Sequence, residues 1–532
     1  MRTYEPNPRW PAGHLRAMRS AIPVLAICLG PLSHIAAAQT PASANLPQQM
    51  QQLEDAIART QAQLEQSQRD LNDLRRQLSA LQSQITQAQG KPAPSLPAEA
   101  AAESSSSQDT AASMNAAIQD IRERQSIEET QIATHELSKV ATESKYPLRV
   151  TGLLLMNGFV NTRAVDIAST PTLAIPGPGS TGATVRQSIL GLDADGPHWF
   201  GARSYADLRA DFDGSPASGN STTSYSGYYD ANTTLLRLRT AHAGLQWEHT
   251  QAQFALDRAI LAPDTPTSLT AVAEPALAWS GNLWAWNPQA QLTQQIDFPR
   301  SRALQLQAAL IDVEDAPLSP VIPAAGTSAT MSPATGEMSR WPGAEARIAL
   351  LGRNQPDERD HFGVGGYFAP HHTSFGGKFD SWASTADLQL SLPARLKLTA
   401  SGYRGAALGG LGGGGYKDFA YTFESDTGVY YFRPLDDAGG WSQLKEKWSE
   451  RLEFNAAFGM DNVFAAELRR YAATSGSVYR NLANNRTFTG NLIYSPSAYL
   501  LLSLEYRHVQ SSPVIGSPSR SQVIGLGAGY KF

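Results

Sequence analysis

Apolar residues occupy every second position along much of the chain, and the C-terminal stretch shows this most clearly. One set of alternate positions is apolar or aromatic, and the other set is small or polar apart from Val523. The apolar set is Ile524, Leu526, Ala528, Tyr530 and Phe532. A period of two predicts a β-strand whose two faces differ. Such a strand either lies at the edge of a soluble sheet or belongs to a closed barrel.

Segment 202–213 has the same alternation, but its second face is charged. The first face is small or apolar, and the second face consists of Arg203, Tyr205, Asp207, Arg209, Asp211 and Asp213. A soluble core would not hold that second face, whereas a water-filled lumen would, so the pattern favours a barrel. The alternation recurs in four further segments, 304–311, 345–350, 386–392 and 502–507.

The connections between these segments alternate in length. Short turns are predicted around Gly196, Pro356, Pro393 and Pro496, and long connections at 163–185, 214–233, 314–340, 406–440 and 473–485. Short turns at one end and long loops at the other are typical of outer-membrane barrels. Residues 146–532 are therefore predicted to form an all-β transmembrane barrel of about 16 antiparallel strands, give or take two, around an aqueous channel. Tyr530 and Phe532 are the signal of its closing strand.

Residues 46–89 change to a helical period, with apolar side chains at alternating spacings of three and four. These are the a and d positions of a coiled coil. The core positions are Met50, Leu53, Ile57, Leu64, Leu71, Leu74, Leu78, Leu81 and Ile85, and polar Thr60 and Ser67 occupy two d positions. The seam packs either on its own domain or on the same segment of another copy. Because the chain has no second heptad run of equal quality, we expect self-association.

The segments on either side of this helix differ in composition. Residues 90–113 are rich in Pro, Ala and Ser and predict a disordered linker. Residues 114–145 show an irregular apolar stripe among charges and predict a periplasmic helix that leads into the barrel. Residues 1–38 read as a secretory signal peptide, with an apolar core and a small-residue cleavage site. A lipid attachment at Cys28 is the alternative, and cleavage after residue 38 would remove this only cysteine.

Composition adds little to this picture. The 532 residues carry a net charge of −5 and 42% hydrophobic residues, and their mean hydropathy is −0.30. A membrane barrel has such values because only alternate residues face lipid. The mild acidity and the lack of a basic tract predict no nucleic-acid partner.

Charged residues on two neighbouring predicted strands are the candidate lining of the pore. They are Arg203, Asp207, Arg209, Asp211, Arg237 and Arg239. A basic wall would favour anions, because guanidinium groups bind carboxylate and phosphate. The alternative is a ladder of Arg–Asp pairs that only stiffens the wall.

The connection at 262–287 is long and rich in Pro and Trp. It folds either into the lumen, where it would narrow the channel, or against a neighbouring subunit. In the first case, Asp264 and Glu274 could form the acidic side of a constriction.

No motif in the chain predicts catalysis, a cofactor or a metal. His371 and His372 are adjacent, so on a strand they would point apart. The glycine run 409–415 lacks the Lys-Ser/Thr pair of a phosphate loop and predicts a mobile external loop. We therefore expect a protein that is not an enzyme.

Several stretches resemble outer-membrane porin-like proteins of the DcaP type. They are KYPLRVTGLLLMNGFVN, RQSILGLDADGP, SGNLWAWNPQAQL, GGWSQLKEKWSERLEFNAAFGMDN and NLIYSPSAYLLLSLEYRHV, together with the N-terminal coiled coil. The resemblance implies a trimeric channel of sixteen strands in the outer membrane, with a periplasmic coiled coil and uptake of small, often anionic solutes.

Two functions fit these expectations. The first is a homotrimeric channel in outer-membrane lipid for small hydrophilic solutes. The second is a structural anchor with a plugged lumen, whose coiled coil contacts the cell wall.

Overall fold

The computed structural model describes residues 139–140, 147–214, 235–299, 302–319, 333–352, 359–472 and 478–532. The predicted signal peptide, coiled coil and linker lie outside the described residues. Of the helix predicted at 114–145, only β1 (Lys139–Val140) is described, and these two residues pair as a strand with Leu148 and Arg149. No helix among the described residues is long and apolar enough to cross a membrane.

One large antiparallel sheet dominates the described chain. Its strands after β1 are β2 (Leu148–Val165), β3 (Ala174–Thr184), β4 (Ile189–Trp199), β5 (Ala202–Gly214), β6 (Leu235–Gln246), β7 (Thr250–Asp257), β8 (Asn287–Phe298), β9 (Arg302–Ile311), β10 (Gly343–Leu351), β11 (His361–His372), β12 (Lys378–Leu392), β13 (Leu396–Ala406), β16 (Asp436–Lys447), β17 (Leu452–Val463), β18 (Leu482–Tyr494), β19 (Leu500–Pro513) and β20 (Ser519–Lys531). A separate hairpin joins β14 (Phe419–Glu424) to β15 (Val429–Pro434).

Short helical segments occur in the connections. They are α1 (Thr335–Ser339), α2 (Ala465–Leu468), α3 (Val478–Asn481) and the 3₁₀ turns Gly409–Leu411, Gly414–Tyr416 and Arg469–Tyr471.

The sheet closes on itself between its first and last long strands. Residues Leu153 to Asn161 of β2 pair with Lys531 to Val523 of β20. The other edge of β2 pairs first with β4 and then with β3, which run in the same direction and form one strand interrupted at 185–188. Counted in this way, the wall is a closed barrel of 16 antiparallel strands, as predicted. Closure pairs the backbone groups that an open edge would expose to lipid.

The alternation of side chains matches the two faces of this wall. On β20, the exposed fractions of Ile524, Leu526 and Tyr530 are 45%, 58% and 52%, whereas Ser521 and Val523 are buried. On β10, Ile348 is exposed and its neighbour Arg347 is buried. On these strands, apolar residues thus cover the outside of the barrel and polar residues point inward.

Two predicted connections are wrong. The tight turn expected at Asp195-Gly196-Pro197 is a bulge inside β4, and the chain turns instead at Phe200–Gly201. The long loop expected at 163–185 contains β3, which pairs with β2. The sequence of β3, AIPGPGSTGAT, is rich in Gly and Pro and lacks alternating large side chains. It therefore shows no period of two that would predict a strand.

A charge placed on the outer face should destabilise the barrel. We expect Ile348→Arg to lower the free energy of unfolding in lipid by about 2–4 kcal/mol, because the guanidinium would face hydrocarbon. The control is Gln295→Arg, on the inner face, which should change it by less than about 0.5 kcal/mol. Denaturant unfolding in vesicles measures both, and equal losses would contradict the assigned faces.

Candidate functional site

The connection between β7 and β8 folds into the lumen. Residues 258–286, here called the inserted loop, contact the wall on several sides. Asn157 donates to the carbonyl of Leu269 at 2.7 Å, and Asn491 donates to that of Thr267 at 2.8 Å. Because Asn157 lies on β2 and Asn491 on β18, the loop spans part of the barrel cross-section. Of the two predictions for this connection, the structure therefore shows the first: the connection folds into the lumen.

The tip of the inserted loop packs directly on the backbone of β16 and β17. A Cβ atom at Gly459 of β17 would overlap the carbonyl oxygen of Ser280, and a Cβ atom at Gly281 would overlap the backbone of Gly440 on β16. Gly281 also has a positive φ of 94°. Glycine is therefore required here because two backbones approach closely.

A second segment, residues 407–418, also packs inside the barrel. The glycine run within it was predicted to be a mobile external loop, and this prediction is wrong because the run is buried. Gly412, Gly414 and Gly415 have positive φ angles of 95°, 63° and 52°, a conformation that other residues rarely adopt. The run thus provides backbone turns inside the lumen.

Buried carboxylates hold this second segment. The amide of Gly414 donates to Asp437 Oδ2 at 2.7 Å, and that of Gly415 donates to Asp461 Oδ2 at 3.0 Å. Lys417 Nζ donates to three backbone carbonyls, among them that of Leu482 at 3.1 Å. Burial lowers the pKa of Lys417 to about 7. These contacts fix the segment to β16, β17 and β18.

Aromatic rings join the two segments. Trp279 of the inserted loop stacks on Tyr416 with ring centroids 4.1 Å apart, and Trp284 meets Trp279 edge-on at 5.8 Å. The tryptophans that made this loop unusual in sequence therefore pack within the barrel.

The two candidate arginines of β5 are each paired with an aspartate of β4. Arg203 Nη1 lies 3.3 Å from Asp195 Oδ1, and Arg209 Nη2 lies 2.6 Å from Asp193 Oδ1. Arg203 lies near the turn at 200–201, about 20 Å along the strand from Arg209. Arg209 is two residues from Asp211, the partner of the β6 arginines, so Arg203 alone lies apart from the stretch of wall predicted to be basic.

Arg237 and Arg239 share one carboxylate. Their Nη atoms lie 2.7 and 3.0 Å from Oδ2 of Asp211, whose side chain is fully buried. They also donate to the carbonyls of Ala273 and Val272 in the inserted loop, each at 2.7 Å. This group therefore links the wall to the loop and carries one guanidinium more than it has carboxylates.

The remaining candidate, Asp207, pairs with a histidine that the sequence did not single out. His242 Nδ1 lies 3.0 Å from Asp207 Oδ1, and its Nε2 lies 3.1 Å from Asp257 Oδ2. The strand register of β6 shifts next to Arg239, so that His242 shares the inner face with that arginine. Simple alternation places the two on opposite faces, which is why His242 was missed.

A third charged network ties the start of the inserted loop to the wall. Arg347 forms a bidentate ion pair with Asp387, in which Nε and Nη2 lie 2.9 and 2.6 Å from the two carboxylate oxygens. His361 Nε2 lies 3.0 Å from Asp264 Oδ2 and 3.4 Å from Asp387 Oδ2. Burial raises the pKa of Glu274 to about 8. Asp264 is paired with His361 and burial favours the uncharged form of Glu274, so these two residues give the constriction little negative charge.

The inserted segments divide the inner wall into two parts. Inner-face side chains from β12 to β20 are mostly buried beneath them, as Thr399, Asn455 and Ser503 illustrate. Inner-face side chains from β5 to β9 are mostly only half-buried, as Tyr205 and Gln291 illustrate. We call the strands β5–β9 the open sector, because the described lumen is accessible along them.

Replacing Gly459, on which the tip of the inserted loop packs, should widen the lumen. We expect Gly459→Ala to displace the loop tip, because the new methyl group would overlap Ser280, and to raise single-channel conductance. Gly490→Ala is the control on the neighbouring strand, since its Cβ would meet only one atom, at 3.9 Å. An unchanged conductance in a folded Gly459→Ala barrel would show that the loop does not narrow the path.

Comparisons with known proteins address the fold. No family model and no curated protein sequence matches the chain. The structure is similar to the outer membrane channel DcaP of Acinetobacter baumannii, with 14% identity and a TM-score of 0.52 over 74% of this chain and 100% of that one. It also aligns with an anion-selective porin from Comamonas acidovorans, with 9% identity and a TM-score of 0.45 over 73% of this chain and 100% of that one. At the level of fold, the resemblance predicted from the sequence is confirmed: the chain has the barrel fold of the DcaP outer membrane channel.

Proposed function

We propose that the protein is an outer-membrane channel for the passive diffusion of small hydrophilic solutes. The observation that carries this proposal is a closed barrel with an apolar outside and a polar sector of wall that the inserted loop leaves accessible. A barrel of 16 strands is wide enough for an aqueous path. The inserted loop narrows that path and limits the size of the solutes.

The arginines give the channel a modest preference for anions in this proposal. Arg209 faces Asp193, so their fields largely cancel, whereas Arg203 shares Asp195 with Arg149 near the turn end of the barrel. Arg237 and Arg239 share the single carboxylate of Asp211. One surplus positive charge therefore lies where the wall meets the inserted loop, and it attracts anions at the narrow part of the path.

The proposal also includes self-association, in which copies of the protein assemble through the predicted coiled coil. The heptads of residues 46–89 would bring copies together in the periplasm. A homotrimer agrees with the family resemblance found in the sequence.

Conductance in a planar bilayer tests the channel. We expect discrete current steps in groups of three and, under a salt gradient, a reversal potential of the sign given by anion preference. The variant Arg237→Ser/Arg239→Ser/Asp211→Asn removes one net positive charge and should shift this potential towards zero. The control Arg209→Ser/Asp193→Asn removes a neutral pair and should leave the reversal potential unchanged.

Each result of that measurement has a definite meaning. Single steps in place of triplets would contradict the trimer, and an equal shift in both variants would contradict the role given to Arg237 and Arg239. A correctly folded barrel that passes no current would contradict the channel and favour the structural anchor.

The structural anchor is the second candidate, and the long heptad run fits it as well as it fits the trimeric channel. Deleting residues 46–90 separates the two functions. For a channel, we expect cells with the deletion to keep an intact envelope, while native electrophoresis of the purified protein shows fewer trimers. Detergent sensitivity and periplasmic leakage with unchanged solute uptake would instead indicate that the coiled coil tethers the outer membrane.

A further inference from the structure

Glutamine recurs on the inner face of three consecutive strands in the open sector. The sequences TQAQFALD, NPQAQLTQQIDF and RALQLQAALI belong to β7, β8 and β9. Their inner-face amides and one hydroxyl form what we call the glutamine track. It consists of Gln251, Gln253, Gln291, Thr293, Gln295, Gln305 and Gln307.

The register places these side chains side by side. Gln253 is opposite Gln291, and Gln251 is opposite Thr293, which in turn is opposite Gln307. The residues between them point outward, as the exposed fractions of 75% for Phe254 and 51% for Leu292 show. The track is therefore a continuous patch of the inner wall.

Hydrogen bonds hold the amides in fixed orientations. Gln253 Nε2 donates to Gln291 Oε1 at 2.6 Å, and the hydroxyl of Tyr205 bonds to the side chains of both Gln251 and Gln253. Tyr205 reaches them across β6 at Gly244, its register partner, where a Cβ would collide with Gln253. A preorganised set of polar groups binds a solute with a smaller loss of entropy than mobile side chains do.

The side chains of the glutamine track are more accessible than the polar side chains on the opposite wall of the lumen. All seven of its side chains are half-buried, whereas Gln443, Asn455 and Asn491 on the opposite wall are buried and bonded to the inserted loop or to one another. The amides of the track are thus the ones that a solute in the lumen can touch.

The track carries no formal charge, and the arginines beside it are paired. Among the described residues, the one carboxylate that contacts it is that of Asp297, which accepts from Gln295 at 2.5 Å and lies 3.4 Å from His249. At one side lies Arg203, which meets Asp195 at 3.3 Å. At the other side Arg347 donates to Gln305 and Gln307 and is neutralised by Asp387. An ionic solute therefore gains little from this wall, in contrast to the Arg237–Arg239 pair at the inserted loop.

A primary amide has two donors and one oxygen acceptor in one plane, and it matches a hydroxyl group, which is both donor and acceptor. Rows of such amides suit a molecule that carries many neighbouring hydroxyls and no charge. We propose that the glutamine track binds neutral polyhydroxylated solutes, of the saccharide class, during their passage. This inference rests on the proposed channel, because it requires an open lumen.

The test compares maltose binding with that of a polyethylene glycol of the same mass, which is neutral but poor in hydroxyls. The main variant, Gln253→Met/Gln291→Met, removes both members of one amide pair and leaves no single amide unpaired. The matched control is Gln294→Met, on the same strand but on the outer face. Calorimetry of the detergent-purified protein measures binding without current, and maltose block of the ion current measures it in the open channel.

We expect maltose, and not the glycol, to bind and to block. The double variant should weaken maltose binding about tenfold, while the Gln294→Met protein keeps the affinity and the ion conductance of the parent. Equal effects of maltose and glycol, or full maltose affinity in the double variant, would overturn the inference and show that the amides only brace the wall.

The two proposals fail separately. A conducting channel that ignores maltose overturns the saccharide inference and leaves the channel intact. A silent barrel that still binds maltose, with affinity lost in the double variant, overturns the channel while the track remains a binding site.

Discussion

The hydrogen bonds between β2 and β20 are the constraint on which the rest of the structure depends. Lipid offers no partner for a free amide or carbonyl, so a sheet in the membrane is stable only when its first and last strands pair. Here the pairing runs from Leu153–Lys531 to Asn161–Val523, and the amide of Gly152 also donates to the carbonyl of Phe532 at 2.9 Å. Once this seam is closed, the register of each strand decides which side chains meet lipid and which meet the lumen.

Closure also creates a lumen, and the chain fills part of it with its own backbone. Loops in a water-filled space need partners for their polar groups, and the inner wall provides them from side chains such as Asn157, Asn485 and Gln443. Gly281 of the loop and Gly459 of the wall allow the close contacts that side chains would prevent. The inner wall therefore differs between its two parts. Beneath the loops, its side chains contact the loop backbone, whereas along β5–β9 they face solvent.

Alternation predicted the wall well, because each strand that faces lipid must repeat with a period of two. It failed where that period is interrupted. The Gly-Pro sequence of β3 has no large side chains to alternate, and the shift next to Arg239 moves His242 to the inner face. The buried position of 409–415 was also beyond local patterns, since its partners Asp437 and Asp461 belong to later strands. The Pro and Trp content of the inserted loop indicated burial, but two destinations remained open until the wall contacts were known.

Charge and amide chemistry have different places in this lumen, and the reason is physical. The Arg237–Arg239–Asp211 group binds loop carbonyls and has lost much of its water, so its hydrogen bonds hold structure and are costly to exchange. Half-buried amides keep water as a partner, and a hydroxyl can replace that water at little cost. Ion selectivity and solute recognition can therefore lie on separate parts of one wall, the first at the seat of the inserted loop and the second along β7, β8 and β9. A channel built in this way can change its preferred solute by exchanging a few glutamines, while the contacts that hold the inserted loop stay the same.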